Sequence, residues 1–232
     1  MLNIALTVIN PVINDILVSG ELLIEKYGGL AVPITVQESV AQTANGEPIM
    51  KAKSFPVSST ASFQDCIRTN YQELVPNSNY RSMGYFEQLG DATRNASQEA
   101  LARRGSVFVY DIPVRLVVWL NIPKMNIDGY QASSHSIAGV VLIRLQKELN
   151  KPNGFPFPVD VYPNSSVQMI FQGQEPKDAN RIFGKYSYGD LTKFMLAPYD
   201  WFSVRYLVRL RISSKCFDDF TLASPELCIV GQ

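Results

Sequence analysis

The sequence predicts an α+β fold: a mainly antiparallel sheet with helices packed on one face, plus an extended arm or inserted loop region. Three segments carry that prediction. Phe202, Val204, Tyr206, Val208, Leu210 and Ile212 alternate with Ser203, Arg205, Arg209 and Arg211, Leu207 being the exception. That is the period-two pattern of a long strand with one buried face. Residues 114–120 (Val-Arg-Leu-Val-Val-Trp-Leu) are β-branched and aromatic on both faces, as a central strand requires. Ile137, Val141, Leu145 and Leu149 recur every four residues, the spacing of a helix with one apolar stripe.

The remaining elements follow along the chain. Asn10-Pro11 reads as a helix start, with Val12, Ile13, Ile16, Leu17, Leu23, Ile24 and Tyr27 at helical spacing and Gly28-Gly29 as the stop. Residues 30–57 read extended, because Pro33, Pro48 and Pro56 oppose helix and Asn45-Gly46 is a turn dipeptide, so a hairpin or arm is expected. A short helix is expected over residues 62–71. The polar stretch 76–105 reads as a long loop or a locally helical insertion through residues 92–103. The strand over 107–122 is expected to break near Asp111-Ile112-Pro113, and Asp128-Gly129 is a turn. Ser133 or Ser134 caps the next helix, which Asn150 and Pro152 close. Residues 159–162 and 167–171 read as two strands about an Asn164-Ser165 turn. The whole, residues 1–232, reads as a single domain with residues 30–105 as arm or insertion.

Composition narrows the function class. At 232 residues with 46% hydrophobic residues, the chain has enough apolar matter for a packed core. Net charge is zero, which argues against a general polyanion binder. Cys66, Cys216 and Cys228 are odd in number and lack CxxC spacing, so free thiols in a reducing compartment are expected. The opening residues carry no Lys/Arg n-region, and Asn3, Asn10, Asn14 and Asp15 interrupt the apolar run short of the roughly 18 residues of a span, so synthesis in the cytoplasm and no membrane contact are expected.

No constellation reads as catalytic. His135 is the one histidine and stands among Ser133, Ser134 and Ser136, the composition of a helix cap and not of a triad. Gly184-Lys185-Tyr186 lacks both the upstream glycine and the Ser/Thr of a phosphate-binding loop. Asp218-Asp219 reads as a solvated turn, and Glu73, Glu87 and Asp91 have nothing in the sequence to fix them. The sequence therefore points to a protein that is not an enzyme and takes no cofactor and no metal.

Charge is segregated. Residues 1–102 hold six Lys/Arg against ten Asp/Glu, a balance of −4, and residues 177–215 hold eight Lys/Arg against three Asp, a balance of +5. Unlike patches on a neutral chain suit head-to-tail contact between copies, which closes into a ring.

The order of these elements, over residues 13–27, 107–122, 137–149 and 202–212, resembles the tail-terminator and head–tail completion proteins of tailed bacteriophages. The wording of residues 85–91 (Tyr-Phe-Glu-Gln-Leu-Gly-Asp) and 199–205 (Tyr-Asp-Trp-Phe-Ser-Val-Arg) is similar to ring proteins of crAss-like phages. The chain is longer than a minimal terminator, the excess lying in residues 30–105. The resemblance implies a structural virion protein, made in the host cytoplasm, that forms a homo-oligomeric ring joining portal to tail. Its partners would be the portal, neighbouring tail and ring proteins, and DNA in the channel met without sequence specificity. Arg205, Arg209, Arg211, Ile34 and Val36 are then the candidate inter-subunit contacts. Two other classes stand beside this one: an enzyme, such as a hydrolase with an unfamiliar site, and a nucleic-acid-binding module using the Arg205/Arg209/Arg211 face.

Overall fold

A computed structural model describes residues 2–15, 18, 24–42, 45, 47–58, 74–101, 107–125, 134–149, 151, 154–158, 164–186, 193 and 196–214. Its elements run α1 (Leu2–Asn14), β1 (Lys26–Gln42), β2 (Pro48–Ser58), β3 (Ser82–Gln88), β4 (Thr93–Arg94), α2 (Ala96–Leu101) and β5 (Val107–Asn121). They continue with a 3₁₀ turn (Ile122–Met125), α3 (Ser134–Leu149), β6 (Phe155–Pro156), β7 (Ser166–Gln174), α4 (Ala179–Phe183) and β8 (Tyr199–Ser213). The strands form an eight-stranded sheet in the order β2-β1-β3-β5-β8-β7-β6, with β4 pairing β5 off that path. Every pairing is antiparallel except β1 with β3. The fold is α+β and its sheet mainly antiparallel, as the sequence predicts.

β5 and β8 are the spine. They pair along their whole length, from Val107↔Ser213 to Asn121↔Tyr199. Both faces of this pair are covered. On one, Ile112, Val114, Leu116, Val118 and Leu120 join Phe202, Val204, Tyr206, Val208, Leu210 and Ile212, packed with α1 and with Leu145 and Leu149 of α3. On the other, Val117, Trp119 and Trp201 pack with Met83, Tyr85, Leu74, and Ile182, Phe183 and Tyr186 of the α4 region. Trp119 stacks on Tyr199, and Phe183 meets Trp201 edge-on.

Several expectations are corrected. The first helix does not run from Asn10 to Tyr27: it spans Leu2–Asn14, with Pro11 inside it. Leu2, Ala5, Leu6, Ile9 and Ile13 form its buried stripe, and this stripe outweighs the one lost backbone bond because Pro11 lies on the exposed side. Tyr27 belongs to β1, where its hydroxyl donates to Asn10 Oδ1 at 2.8 Å and ties strand to helix. Gly28-Gly29 makes a bulge where the β1–β3 register shifts, Gly29 having a φ of 63°, and does not end a helix.

The polar stretch before Gly105 is not all loop. Residues Ser82–Gln88 enter the sheet as β3, all buried but Gln88, and within the expected helical insertion 92–103 Ala96–Leu101 is helical whereas Thr93–Arg94 pair with β5 as β4. β5 does not break near Pro113: its register against β8 is continuous through Pro113↔Leu207. β7 lies between β8 and the short β6, Phe155–Pro156, antiparallel to both. Gly154 permits this with a φ of 69°, since a Cβ there would stand 2.5 Å from the Val167 carbonyl oxygen. The expected helix over 62–71, the Asp128-Gly129 turn and the strand over 159–162 lie outside the described residues.

β1 and β2 form the expected hairpin. β1 pairs with β3 only from Lys26 to Leu30, whereas Ala31 to Gln42 pair with β2 alone. At about 3.3 Å per residue, those twelve residues make roughly 40 Å of strand whose ladder partner is β2 alone. Phe55 and Val57 bury the root, and Ile49 and Met50 are 44% and 51% exposed near the tip.

Candidate functional site

Across the middle of the sheet, on the α4 side, the strands align a row of charged side chains. Glu87 of β3 lies opposite Arg115 of β5, and Arg115 lies opposite Arg205 of β8. Period two puts these on the same face as Tyr85, Val117 and Ser203, so charges fixed on neighbouring strands must meet. Glu175, just past β7, joins them: its backbone N–H donates to the Ser203 carbonyl at 3.0 Å.

The side chains of Glu87, Arg115 and Glu175 are 1%, 6% and 3% exposed. Arg115 bridges the two carboxylates, with Nε 2.6 Å from Glu175 Oε2 and Nη1 3.6 Å from Glu87 Oε2. Neither contact is aligned as a hydrogen bond, so attraction here is charge on charge. Glu175 accepts directed bonds from Ser203 Oγ at 3.0 Å and Arg205 Nε at 2.6 Å, and Arg181 Nη2 stands 3.5 Å from the same Oε1. Glu87 Oε1 accepts from the Tyr186 hydroxyl at 2.7 Å and lies 3.3 Å from Lys185 Nζ. α4 and the residues after it are thereby fastened to the sheet by charge as well as by Ile182 and Phe183.

A smaller cluster lies further along β5 and β8. Arg209 donates from Nε and Nη2 to Asp111 Oδ1 and Oδ2, at 2.8 and 3.0 Å, and Asn95 Nδ2 donates to Oδ2 at 2.7 Å. The fork geometry matches a carboxylate edge to edge.

Burial alone would raise the carboxyls of Glu175 and Asp111. For Glu175 the Arg205 hydrogen bond, the Arg115 charge and the Ser203 bond outweigh it and hold the group below its ordinary value. For Asp111 the bonds from Arg209 and Asn95 do the same. Both carboxylates stay ionised and ill suited to carrying protons in catalysis. The linkage has a sign. With folded values below the ordinary 4.5 and 3.8, the folded protein binds fewer protons than the unfolded chain in acid. The stabilisation is complete above those ordinary values and declines as pH falls through the lowered ones. Urea midpoints should therefore hold steady from neutrality to about pH 5 and fall below it. A midpoint unchanged down to pH 3 would contradict the cluster.

The sequence left Glu87 with nothing to fix it; instead it is among the most buried charges. Its partners are not local. Tyr186 lies 99 positions away, and the Gly184-Lys185-Tyr186 run that fails as a phosphate loop supplies both Lys185 and Tyr186 to this carboxylate. The available signal was a charged residue on each of two apolar strands, Glu87 and Arg115, too sparse to pair without the register.

The candidate contact residues divide. Arg205 and Arg209 hold internal partners, Glu175 and Asp111. Arg211 is half-buried in β8 opposite Val109 and Ser166. Ile34 is half-buried on the hairpin opposite Phe55, and Val36 lies opposite Lys53, its side chain outside the described residues. Within the basic segment Lys177 also pairs with Asp200, so five of its eight cations (Lys177, Arg181, Lys185, Arg205, Arg209) meet carboxylates of the same chain. Much of the segregated charge is answered internally. His135 is the second residue of α3, its side chain outside the described residues, as are the three cysteines, Glu73 and Asp218-Asp219.

Among the described residues no three His, Cys, Asp or Glu stand together as metal ligands, and no helix is long and apolar enough to cross a membrane. Compared with protein-family models, curated proteins and solved structures, the chain matches none. What fold and site define is a class: an α+β protein whose long central strands are cross-braced by buried ion pairs.

Proposed function

We propose that this protein is a structural virion subunit that forms a ring in the head–tail connector or tail of a tailed bacteriophage, joining portal to tail around the DNA channel. The observation that carries the reading is the β1–β2 hairpin, which leaves the sheet after Leu30 with its root buried and Ile49 and Met50 exposed near its tip. Two-stranded ribbons are marginal alone, and large apolar side chains at such a position gain most when a neighbour covers them. A hairpin reaching from one copy to a different surface of the next is a heterologous contact, the kind that closes a ring. The braced body suits the same role, since a close-packed interior cross-linked by ion pairs transmits strain with little compression.

Internal pairing of Arg205 and Arg209 moves the expected contact from those arginines towards the hairpin. Surface charge acts over a Debye length of roughly 8 Å at physiological salt, so it registers subunits while apolar burial holds them. The test is electron microscopy and sedimentation of the purified chain at high concentration, beside Ile49→Glu/Met50→Glu. Closed rings of like copies are expected for the parent and monomers with an unchanged circular dichroism spectrum for the variant. A two-fold dimer through identical patches, a monomer at every concentration, or rings unaffected by the substitutions would overturn it.

A further inference from the structure

The buried cluster carries more positive charge than its carboxylates answer. Among the described residues four cations, Arg115, Arg181, Lys185 and Arg205, contact two carboxylates, Glu87 and Glu175, a surplus of two positive charges over the carboxylates they touch. Asp178 makes no ion pair with them and accepts instead from the N–H groups of Asn180 and Arg181, and Lys177 pairs with Asp200.

The surplus is not spread evenly. Arg115 is sealed inside, while the side chains of Arg181, Lys185 and Arg205 are 43%, 45% and 44% exposed. Arg205 Nε and Arg181 Nη2 both touch Glu175 Oε1, so the two guanidinium groups can be no further apart than those two contacts allow. Among the described residues Arg205 meets a carboxylate through Nε and Arg181 through Nη2, so most N–H donors of these two half-exposed guanidinium groups are unspent. Beneath them, Arg115 Nε and Nη1 make no aligned hydrogen bond. Like charges held this close, with donors unspent, are stabilised by an anion arriving from outside.

We infer that the rim formed by Arg181, Lys185 and Arg205 is an oxyanion site that takes a phosphate group. Charge separates phosphate from carboxylate. A phosphate monoester carries about −1.5 to −2 near neutral pH and offers three acceptor oxygens, which matches a surplus of two and two guanidinium forks. A single carboxylate would leave half the surplus unanswered. The inference goes beyond the ring reading and does not depend on it, because a monomer would bind the same ion.

The phosphate has two sources, free inorganic phosphate or the terminal phosphomonoester of a larger molecule; a backbone diester carries one charge, as a carboxylate does, and serves as the control. Inorganic phosphate titrated by calorimetry into the whole chain, at ionic strength matched with sodium chloride, should bind, and Arg181→Gln/Lys185→Gln should weaken binding about tenfold or more. Should the double variant fold poorly, Lys185→Gln alone should weaken binding measurably, since its side chain is half-exposed. A second arm adds an oligothymidylate with a 5′-phosphate and the same oligomer without one. Displacement of phosphate by the phosphorylated oligomer alone assigns the site to a monoester on a larger molecule, and phosphate binding that neither disturbs assigns it to the free ion. No heat with phosphate, or displacement by both oligomers alike, would overturn the inference.

Discussion

Arg115→Met should cost the protein about 3 kcal/mol of folding stability, the lower end of what breaking a buried ion pair costs. The guanidinium is 6% exposed and, among the described residues, is the one cation that touches both Glu87 and Glu175. Removing it leaves both carboxylates in place without their common neutraliser. They are not wholly abandoned: Lys185 and Tyr186 remain on Glu87, and Arg205, Arg181 and Ser203 on Glu175. That is why the lower end applies. Against a total of about 5–15 kcal/mol, the loss shows as a large shift in urea midpoint. Arg115→Lys should recover only part of it, because a single ammonium cannot span two carboxylates as a planar guanidinium does. Adding Glu87→Gln and Glu175→Gln to Arg115→Met should restore stability relative to the single variant, since no unpaired buried charge is then left. A loss below about 1 kcal/mol for Arg115→Met would mean that the bridge is not formed.

Much of the fold was legible in the sequence because its longest elements announce themselves by period. The alternation from Phe202 to Ile212 gave the buried face of β8 directly, and each of its six apolar members is buried. The spacing of Leu145 and Leu149 likewise placed a helix where α3 lies. The first helix was misplaced for a physical reason. Proline is favoured at a helix start, so Asn10-Pro11 looked like an entrance, yet burial of Leu2, Leu6 and Ile9 tolerates Pro11 in the last turns. β3 was hidden by its chemistry. A strand that spends two of its seven residues on Glu87 and Gln88 and another on Gly84 has no alternation to detect, and it is held in the sheet by two neighbours.

The site was less legible still. A buried ion cluster is a property of tertiary placement: Glu87, Arg115, Glu175 and Arg205 come from four separate stretches, and each alone looks like solvated surface. Charge balance along the chain did register the excess of Lys and Arg after residue 177. It could not show that one partner, Glu87, comes from the acidic N-terminal part of the same molecule.

Val208→Asp should be the most damaging single change in β8 and should leave no cooperative unfolding transition at neutral pH. Val208 is fully buried, lies opposite Ile112 and Met169, and sits in the core that joins the sheet to α1 and α3. β8 offers the new carboxylate no cation on that face, because its arginines alternate to the other. An unpaired buried charge costs several kcal/mol beyond the apolar contact it deletes, which is comparable with the whole stability of a domain. The neighbouring positions calibrate the result. On alternation alone Arg209→Ser would be tolerated, but the structure changes that expectation, because it strips the two-pronged bond from a nearly buried Asp111. About 1–3 kcal/mol should be lost there, Asn95 retaining its bond to the carboxylate. Arg211→Ser, at a half-buried position two residues on, should be nearly neutral. Denaturation of the three variants should rank them Val208→Asp, then Arg209→Ser, then Arg211→Ser, and equal losses at positions 208 and 211 would show that β8 presents its faces the other way round.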